Sequence, residues 1–396
     1  MTAYLVSGTR TPVGRYGGAL SSVRPDDLAA LVVKAVVEDS GIPPEAVDEV
    51  ILGNANGAGE ENRNVARMAW LLAGFPDSVP GITVNRLCAS GMSAIALATA
   101  MVESGQADII VAGGVESMSR APWVMEKPST AFAKPGEIFD TSIGWRFVNP
   151  VFAAQDKMTY SMPETAEEVA RRSNISREDA DAFAVQSQER ALASRGFMAA
   201  EITPVPVKDR KGNVTLVSED EGPRAGTTPE VLARLRPVVK GGEVVTAGNS
   251  SSLNDGSSAI IVASEAALSK YGLKPRARVI ANAAVGLEPA VMGLGPIPAT
   301  RSVLDRAGWS TSDVDAFEIN EAFATQSLAT VRELDLDPEK VNAWGGAIAL
   351  GHPLGSSGSR ITVTLLNRLE QTGASRGVAT MCVGVGQGTA IAIERV

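Results

Sequence analysis

Apolar positions along the chain alternate between two spacings. Tyr4–Ser7 is a short apolar run and predicts a strand, whereas Pro25–Ser40 places Leu28, Leu31, Val32, Ala35 and Val36 on one helical face. The alternation continues with a strand at Val47–Leu52, a helix at Asn64–Ala73, a strand at Ile82–Asn85, a helix at Ala89–Ser104 and a strand at Asp108–Ala112. Strands and helices in strict succession, joined by Gly-rich turns, imply a layered α/β core.

The pattern repeats. Ser40-Gly41-Ile42-Pro43-Pro44-Glu45-Ala46-Val47-Asp48 resembles Ala307-Gly308-Trp309-Ser310-Thr311-Ser312-Asp313-Val314-Asp315, at an offset of 308 − 41 = 267. The same offset carries Ser90-Gly91 onto Ser357-Gly358, each opening a helix that leads to a buried strand. Two separated matches at one offset imply a duplicated architecture, with halves near 1–118 and 270–396. Residues 119–247 differ: they hold charged helices at Glu164–Ser173 and Ser176–Ser194, with Ser176 as a cap, and irregular chain at Pro122–Asn149. Such an insert is either a surface excursion or a lid over a binding site.

Composition narrows the chemistry. The 396 residues include one histidine and two cysteines, and 36 basic against 45 acidic side chains give a net charge of −9. Two cysteines cannot build a disulfide scaffold, and His352 with Cys88 and Cys382 offers at most an open three-ligand zinc site. The acidic balance argues against nucleic acid as partner. The N-terminus shows no targeting pattern, and the longest apolar run, Ala94–Val102, is about half of what a membrane crossing needs. A cytoplasmic protein is expected.

Cys88 lies where an apolar strand gives way to a helix of small residues. Helix N–H groups and the dipole there would favour a thiolate, a placement suited to a nucleophile, although a lone Cys beside Ala and Gly also serves as core filler. His352 stands in Trp344-Gly345-Gly346-Ala347-Ile348-Ala349-Leu350-Gly351-His352-Pro353, and Pro353 restrains it towards extended backbone. At the 267 offset His352 falls on Asn85 and Gly355 on Cys88. Cys382 precedes Gly384, Gly386 and Gly388 between two apolar strands, a hairpin able to turn backbone N–H groups towards a ligand. Asn320-Glu321-Ala322-Phe323-Ala324 ends a strand at Val314–Ile319, where α/β sheets place functional groups.

Together these segments resemble the thiolase family, collinearly over essentially the whole chain. The likeness also takes in Gly113-Gly114-Val115-Glu116-Ser117-Met118-Ser119, Ala247-Gly248-Asn249, Leu253-Asn254-Asp255-Gly256 and Val291-Met292-Gly293. It implies a duplicated αβαβα five-layered core with an inserted loop domain: 1–118 plus 248–269 as the first half, 119–247 as the insert and 270–396 as the second half. It implies cleavage or formation of 3-ketoacyl-CoA thioesters. Cys88 is then similar to the acyl-accepting nucleophile, His352 to its base, and Cys382 to the second cysteine that moves the α-proton. Asn320, through a water, and His352 would bind the enolate oxygen, and the N–H groups of Cys88 and Gly384 the tetrahedral oxyanion. Ser251 and Arg224 fall where the family contacts coenzyme A, Met162 and Met292 where it lines the acyl pocket, and Phe323 beside them. Coenzyme A and acetyl-CoA enter as substrates, with no prosthetic group, metal, nucleic acid or membrane, and a homodimer or homotetramer is implied.

Gly59–Met68, Ile143–Pro150 and Ser161–Glu164 resemble the 3-oxoadipyl-CoA thiolases of aromatic catabolism, whose substrate would call for a cation near the acyl pocket, with Arg146 the candidate. Short-chain acetoacetyl-CoA enzymes often carry His where this chain has Ser161, and a coenzyme-contacting Ser where it has Val231. The short-chain enzyme is one alternative. Related condensing enzymes of the same core lack a Cys382-type acid beside a Gly351-His352-Pro353 loop. A non-catalytic coenzyme A-binding protein is the alternative of another class.

Overall fold

A computed structural model describes residues 1–396. The first half contains β1 (Ala3–Arg10), α1 (Pro25–Ser40), β2 (Glu49–Gly53), α2 (Val65–Leu72), β3 (Gly81–Val84), α3 (Ser90–Glu103) and β4 (Ile109–Ser117). The insert contributes α4 (Met162–Ser173) and α5 (Arg177–Ala193), with hairpins Trp123–Met125/Ile138–Asp140 and Val205–Lys208/Val214–Val217. Then follow β5 (Asn254–Ser264), β6 (Ala277–Gly286), α6 (Pro296–Ala307), β7 (Ala316–Ile319), α7 (Ala324–Glu333), α8 (Leu354–Thr372), β8 (Arg376–Val383) and β9 (Gln387–Arg395).

Strand order is β7-β8-β9-β6-β1-β5-β4-β2-β3, and the two halves of this sheet meet only at Tyr4–Arg278 and Leu5–Ala277. The repeat governs its register. Glu49 pairs with Ile110 in parallel, and Ala316 pairs with Gly377, each 267 residues on. The Asp48 carboxylate accepts the N–H groups of Asp108 and Ile109, and Asp315 accepts those of Ser375 and Arg376 in the same way. β5, although it follows the insert, completes the first half beside β1 and β4.

Five layers follow from which faces are apolar. Leu28, Val32, Val33 and Val36 of α1 are fully buried with α2 against one sheet, each contributing about 1.5–3 kcal/mol. Val303 and Leu304 of α6 cover the other sheet. Between the sheets lie α3 and α8, whose Ile95, Ala98, Val102, Ile361, Leu365 and Leu369 share one core with both. Small residues make the central crossing possible. A Cβ on Gly91 would stand 2.6 Å from Ser359 Oγ, and one on Gly358 2.4 Å from Met92 N. Serines buried there bond one another, with Ser258 Oγ 2.6 Å from Ser359 Oγ.

Three features depart from the sequence expectation. β4 runs on to Ser117, so its glycines lie in a strand. They are there because the α8 loop presses on it: a Cβ on Gly114 would overlap the Gly355 carbonyl at 2.0 Å. α8 begins at Leu354, ahead of Ser357. Pro122–Asn149 contains a short hairpin. The insert is held to the core by Arg10, fully buried, whose guanidinium meets Glu201 and, at 2.7 Å, Asp220. No helix is long and apolar enough to cross a membrane.

Candidate active site

Cys88 sits on a single helical turn, Leu87–Ala89, between β3 and α3. Leu87 is held at φ 48, and this left-handed kink raises the next residue out of the chain path. Local bonds fix it: Leu87 N–H donates to Asn85 Oδ1 at 2.8 Å, and Ser90 Oγ donates to the Leu87 carbonyl at 2.7 Å. The Cys88 thiol is half-buried. Burial pushes it up to about 11, opposed by the N–H of Gly384 and its own N–H, with the Glu116 charge adding to the rise. The thiolate expected from the helix terminus is thus overruled by desolvation, and the resting group is a thiol.

The Gly384 N–H reaches Cys88 from the β8–β9 turn, where Val385 and Gly386 take φ 61 and 75. A Cβ on Gly384 would stand 3.1 Å from Leu87 Cδ1 and 3.8 Å from Met162 Sδ. Glycine makes this approach close, since a side chain there would press on the tip of Leu87. Cys382 lies inside β8, 1% exposed, and burial together with the neighbouring Cys88 charge raises its thiol strongly. Its sulfur lies 3.0 Å from the side-chain amide of Gln326. Turned to suit its other neighbours, that amide donates Nε2 to the Asn320 carbonyl at 3.1 Å and accepts the Ser327 N–H at 2.7 Å, which places its nitrogen beside the Cys382 sulfur.

His352 is 5% exposed. Its Nδ1 stands 2.6 Å from Ser357 Oγ, whose own proton goes to the Pro353 carbonyl at 2.9 Å. Nδ1 therefore carries hydrogen and Nε2 keeps a lone pair. Asn320 Nδ2 approaches Nε2 at 3.4 Å, and Asn320 Oδ1 has no protein partner. Burial, and secondarily the charge of Arg360, pushes the imidazole down to about 3, so it is neutral at physiological pH.

Carboxylates behind the loops hold them in place. Glu116 accepts the N–H groups of Ala55, Asn56 and Gly355 at 2.9, 3.2 and 2.8 Å, joining the Cys88 side to the His352 side. Glu321 accepts from Ser187, Asn342 and Ile348. Glu116 lay in a motif recognised from the sequence without a role. Ser357 appeared only in the internal repeat, without a role, and Gln326 was missed, since nothing in their local sequence signals what they touch.

Met162, Met292, Phe323 and Cys382 share one apolar cluster with Ala166 and Val245. Ser251 adjoins it, its N–H and Oγ both donating to the Ala322 carbonyl. Arg224 stands apart on the exposed rim without a carboxylate partner, its N–H held by Gln188 Oε1 at 2.7 Å. No group of three or more His, Cys, Asp or Glu side chains is arranged to hold a metal ion. The site holds a thiol approached by the Gly384 N–H, a neutral imidazole held by Ser357 and Asn320, and a second buried thiol within an apolar cluster. It suits acyl transfer through a covalent thioester.

The chain is similar to known proteins over its whole length. The family "Thiolase, N-terminal domain" matches residues 3–266 and "Thiolase, C-terminal domain" residues 273–395. A beta-ketoadipyl-CoA thiolase of Pseudomonas aeruginosa is 56% identical, over 99% of each chain. A 3-oxoadipyl-CoA/3-oxo-5,6-dehydrosuberyl-CoA thiolase of Escherichia coli is 54% identical, over 100% of this chain and 99% of its own. Among solved structures, the Bacillus anthracis acetyl-CoA acetyltransferase superposes with a TM-score of 0.93 at 42% identity, over 100% of this chain and 99% of that one.

Proposed function

The chain belongs to the thiolase family and is an acyltransferase acting on coenzyme A thioesters, and from that premise we propose that its substrate is 3-oxoadipyl-CoA, cleaved by coenzyme A to acetyl-CoA and succinyl-CoA. The observation that carries this reading is the 54–56% full-length identity to enzymes named for that substrate, against 42% to an acetyl-CoA acetyltransferase. Coenzyme A is a substrate here, and no prosthetic group takes part. The test is thiolysis of acetoacetyl-CoA, an unbranched longer 3-ketoacyl-CoA and 3-oxoadipyl-CoA. The highest kcat/KM is expected on 3-oxoadipyl-CoA, and a clear preference for acetoacetyl-CoA would overturn the reading in favour of the short-chain enzyme.

In the proposed mechanism the Cys88 sulfur attacks the 3-keto carbon as its proton passes to His352 Nε2. The N–H groups of Cys88 and Gly384 stabilise the oxyanion. The bond between C2 and C3 then breaks, leaving an acyl group on Cys88 and the enolate of acetyl-CoA, whose oxygen is bound by His352 and Asn320. Cys382 gives its proton to the enolate carbon, and the Gln326 amide supports the thiolate left behind. After acetyl-CoA departs, free coenzyme A loses its proton to Cys382 and attacks the acyl-enzyme, and the Cys88 sulfur leaves, taking back the proton held by His352 as succinyl-CoA is released. A thiol at rest suits this order, because deprotonation is coupled to attack.

Ser251 and Arg224 are proposed to meet the coenzyme, with Met162, Met292 and Phe323 lining the acyl slot. The division into 1–118 plus 248–269, 119–247 and 270–396 is supported by β5 joining the first half. A homodimer is supported by β3, which pairs on one side only and leaves Ile82 exposed near Leu71 and Leu72. The exposed Trp123, Phe132, Ile138 and Phe147 of the insert support pairing of dimers into a tetramer. The cytoplasm is the proposed location.

A further inference from the structure

Ile143–Pro150 of the insert contains a guanidinium with no counter-ion. The insert's other arginines either pair with a carboxylate, as Arg120, Arg171, Arg172, Arg177 and Arg190 do, or stand fully exposed. Arg146 does neither: it is half-buried and has no acidic partner. Its one hydrogen bond is from Nη2 to Asn56 Oδ1 at 3.3 Å, which leaves most of its donors open.

The backbone on either side is bent. Gly144 lies at φ 91 and Phe147 at φ 51, a conformation that an aromatic residue adopts only under constraint. The constraint comes from its neighbours. Phe147 packs edge-on to Phe139 with centroids 5.3 Å apart, and Trp145 packs on Phe152 at 6.5 Å. Strain held in place around a partnerless cation marks a position kept for a ligand.

Two separate chains of contacts lead from Arg146 to the nucleophile. On one side Asn56 follows Ala55, whose carbonyl accepts from Asn85 Nδ2 at 2.9 Å, and Asn85 Oδ1 in turn holds the Leu87 N–H beside Cys88. On the other, Trp145 Nε1 donates to the Tyr160 carbonyl at 3.3 Å, two residues before Met162, which abuts Gly384. The segment carrying the cation is therefore tied both to the Cys88 loop and to the residues that lead into Met162.

We infer that Arg146 receives the distal carboxylate of a dicarboxylic acyl chain, and so selects 3-oxoadipyl-CoA over neutral 3-ketoacyl-CoAs of equal length. Asn56 positions the guanidinium, and its open N–H groups face the carboxylate as a fork. This rests on the substrate reading above and names the residue that enforces it.

The test compares 3-oxoadipyl-CoA with 3-oxohexanoyl-CoA, which ends in a methyl group where the other carries the carboxylate, on the wild-type enzyme and on Arg146→Ala and Arg146→Lys. Arg146→Ala is expected to lower kcat/KM for the dicarboxylate about 10- to 100-fold, mainly through KM, and to lower that for the neutral substrate no more than about threefold. Arg146→Lys should fall between. An equal loss on both substrates would mean a loop-bracing role and would overturn the inference, as would no loss on the dicarboxylate. If the wild type itself shows no preference for the dicarboxylate, the substrate reading fails instead.

Discussion

His352 is 5% exposed, and burial holds its imidazole at about 3, well below the ordinary 6.5. The unfolded chain takes up a proton as pH falls through 6.5, while the folded protein does not until about 3. The stability this group contributes is therefore complete above 6.5 and lost progressively down to 3, by roughly 5 kcal/mol at most. A His352→Gln variant should lose less of its urea-unfolding midpoint than the wild type between pH 6.5 and 4. Parallel loss in both proteins would show that the ring is hydrated in solution. Cys88 and Cys382 are shifted the other way by the same cause, so every group proposed to carry protons starts neutral.

The catalytic segments are short turns braced by regular elements, and their geometry depends on backbone placement. Gly384 lies against Leu87, and its N–H points at the Cys88 sulfur. Gly384→Ala would put a methyl group 3.1 Å from Leu87 Cδ1, so that either the leucine tip or the turn must shift by a few tenths of an ångström. We expect kcat to fall about 100-fold with KM for coenzyme A little changed, the cost of losing one oxyanion donor. Steady-state kinetics beside a thermal melt would separate this from unfolding. At this scale the sequence was legible where an element has one apolar face, as in α1, whose limits match Pro25–Ser40. It was less so where a glycine serves a distant backbone. The strand was expected to end at Ala112, yet Gly113 and Gly114 continue it in β4, where Ser258 and the Gly355 carbonyl pass across them. Cys88, His352, Cys382 and Asn320 could be found because their types and settings are unusual. Gln326 and Glu116 were given no role because their partners lie far off, Glu116 being 239 residues from Gly355, whereas Ser357, five residues from His352, carries nothing in its own type that marks it as the partner of the ring.

At the scale of the whole molecule the sheet has one edge at β3 and another at β7, and Ile82 is exposed on the former. A twofold pairing of β3 with its copy would satisfy the free N–H and C=O groups of that edge and bury Leu71 and Leu72. Ile82→Lys should weaken self-association, shifting the mass measured by light scattering from dimer towards monomer at micromolar protein. An unchanged mass would place the dimer contact elsewhere.

The clasp formed by Asp48 on Asp108 and Ile109 recurs, atom for atom, where Asp315 holds Ser375 and Arg376. One chain thus contains the same small experiment twice, under identical solvent and at identical concentration. Only the first copy stands in the half that bears the nucleophile. Whatever distinguishes the two clasps in strength or in exchange with solvent is then a measure of how far two once-equal folds have been tuned to different work.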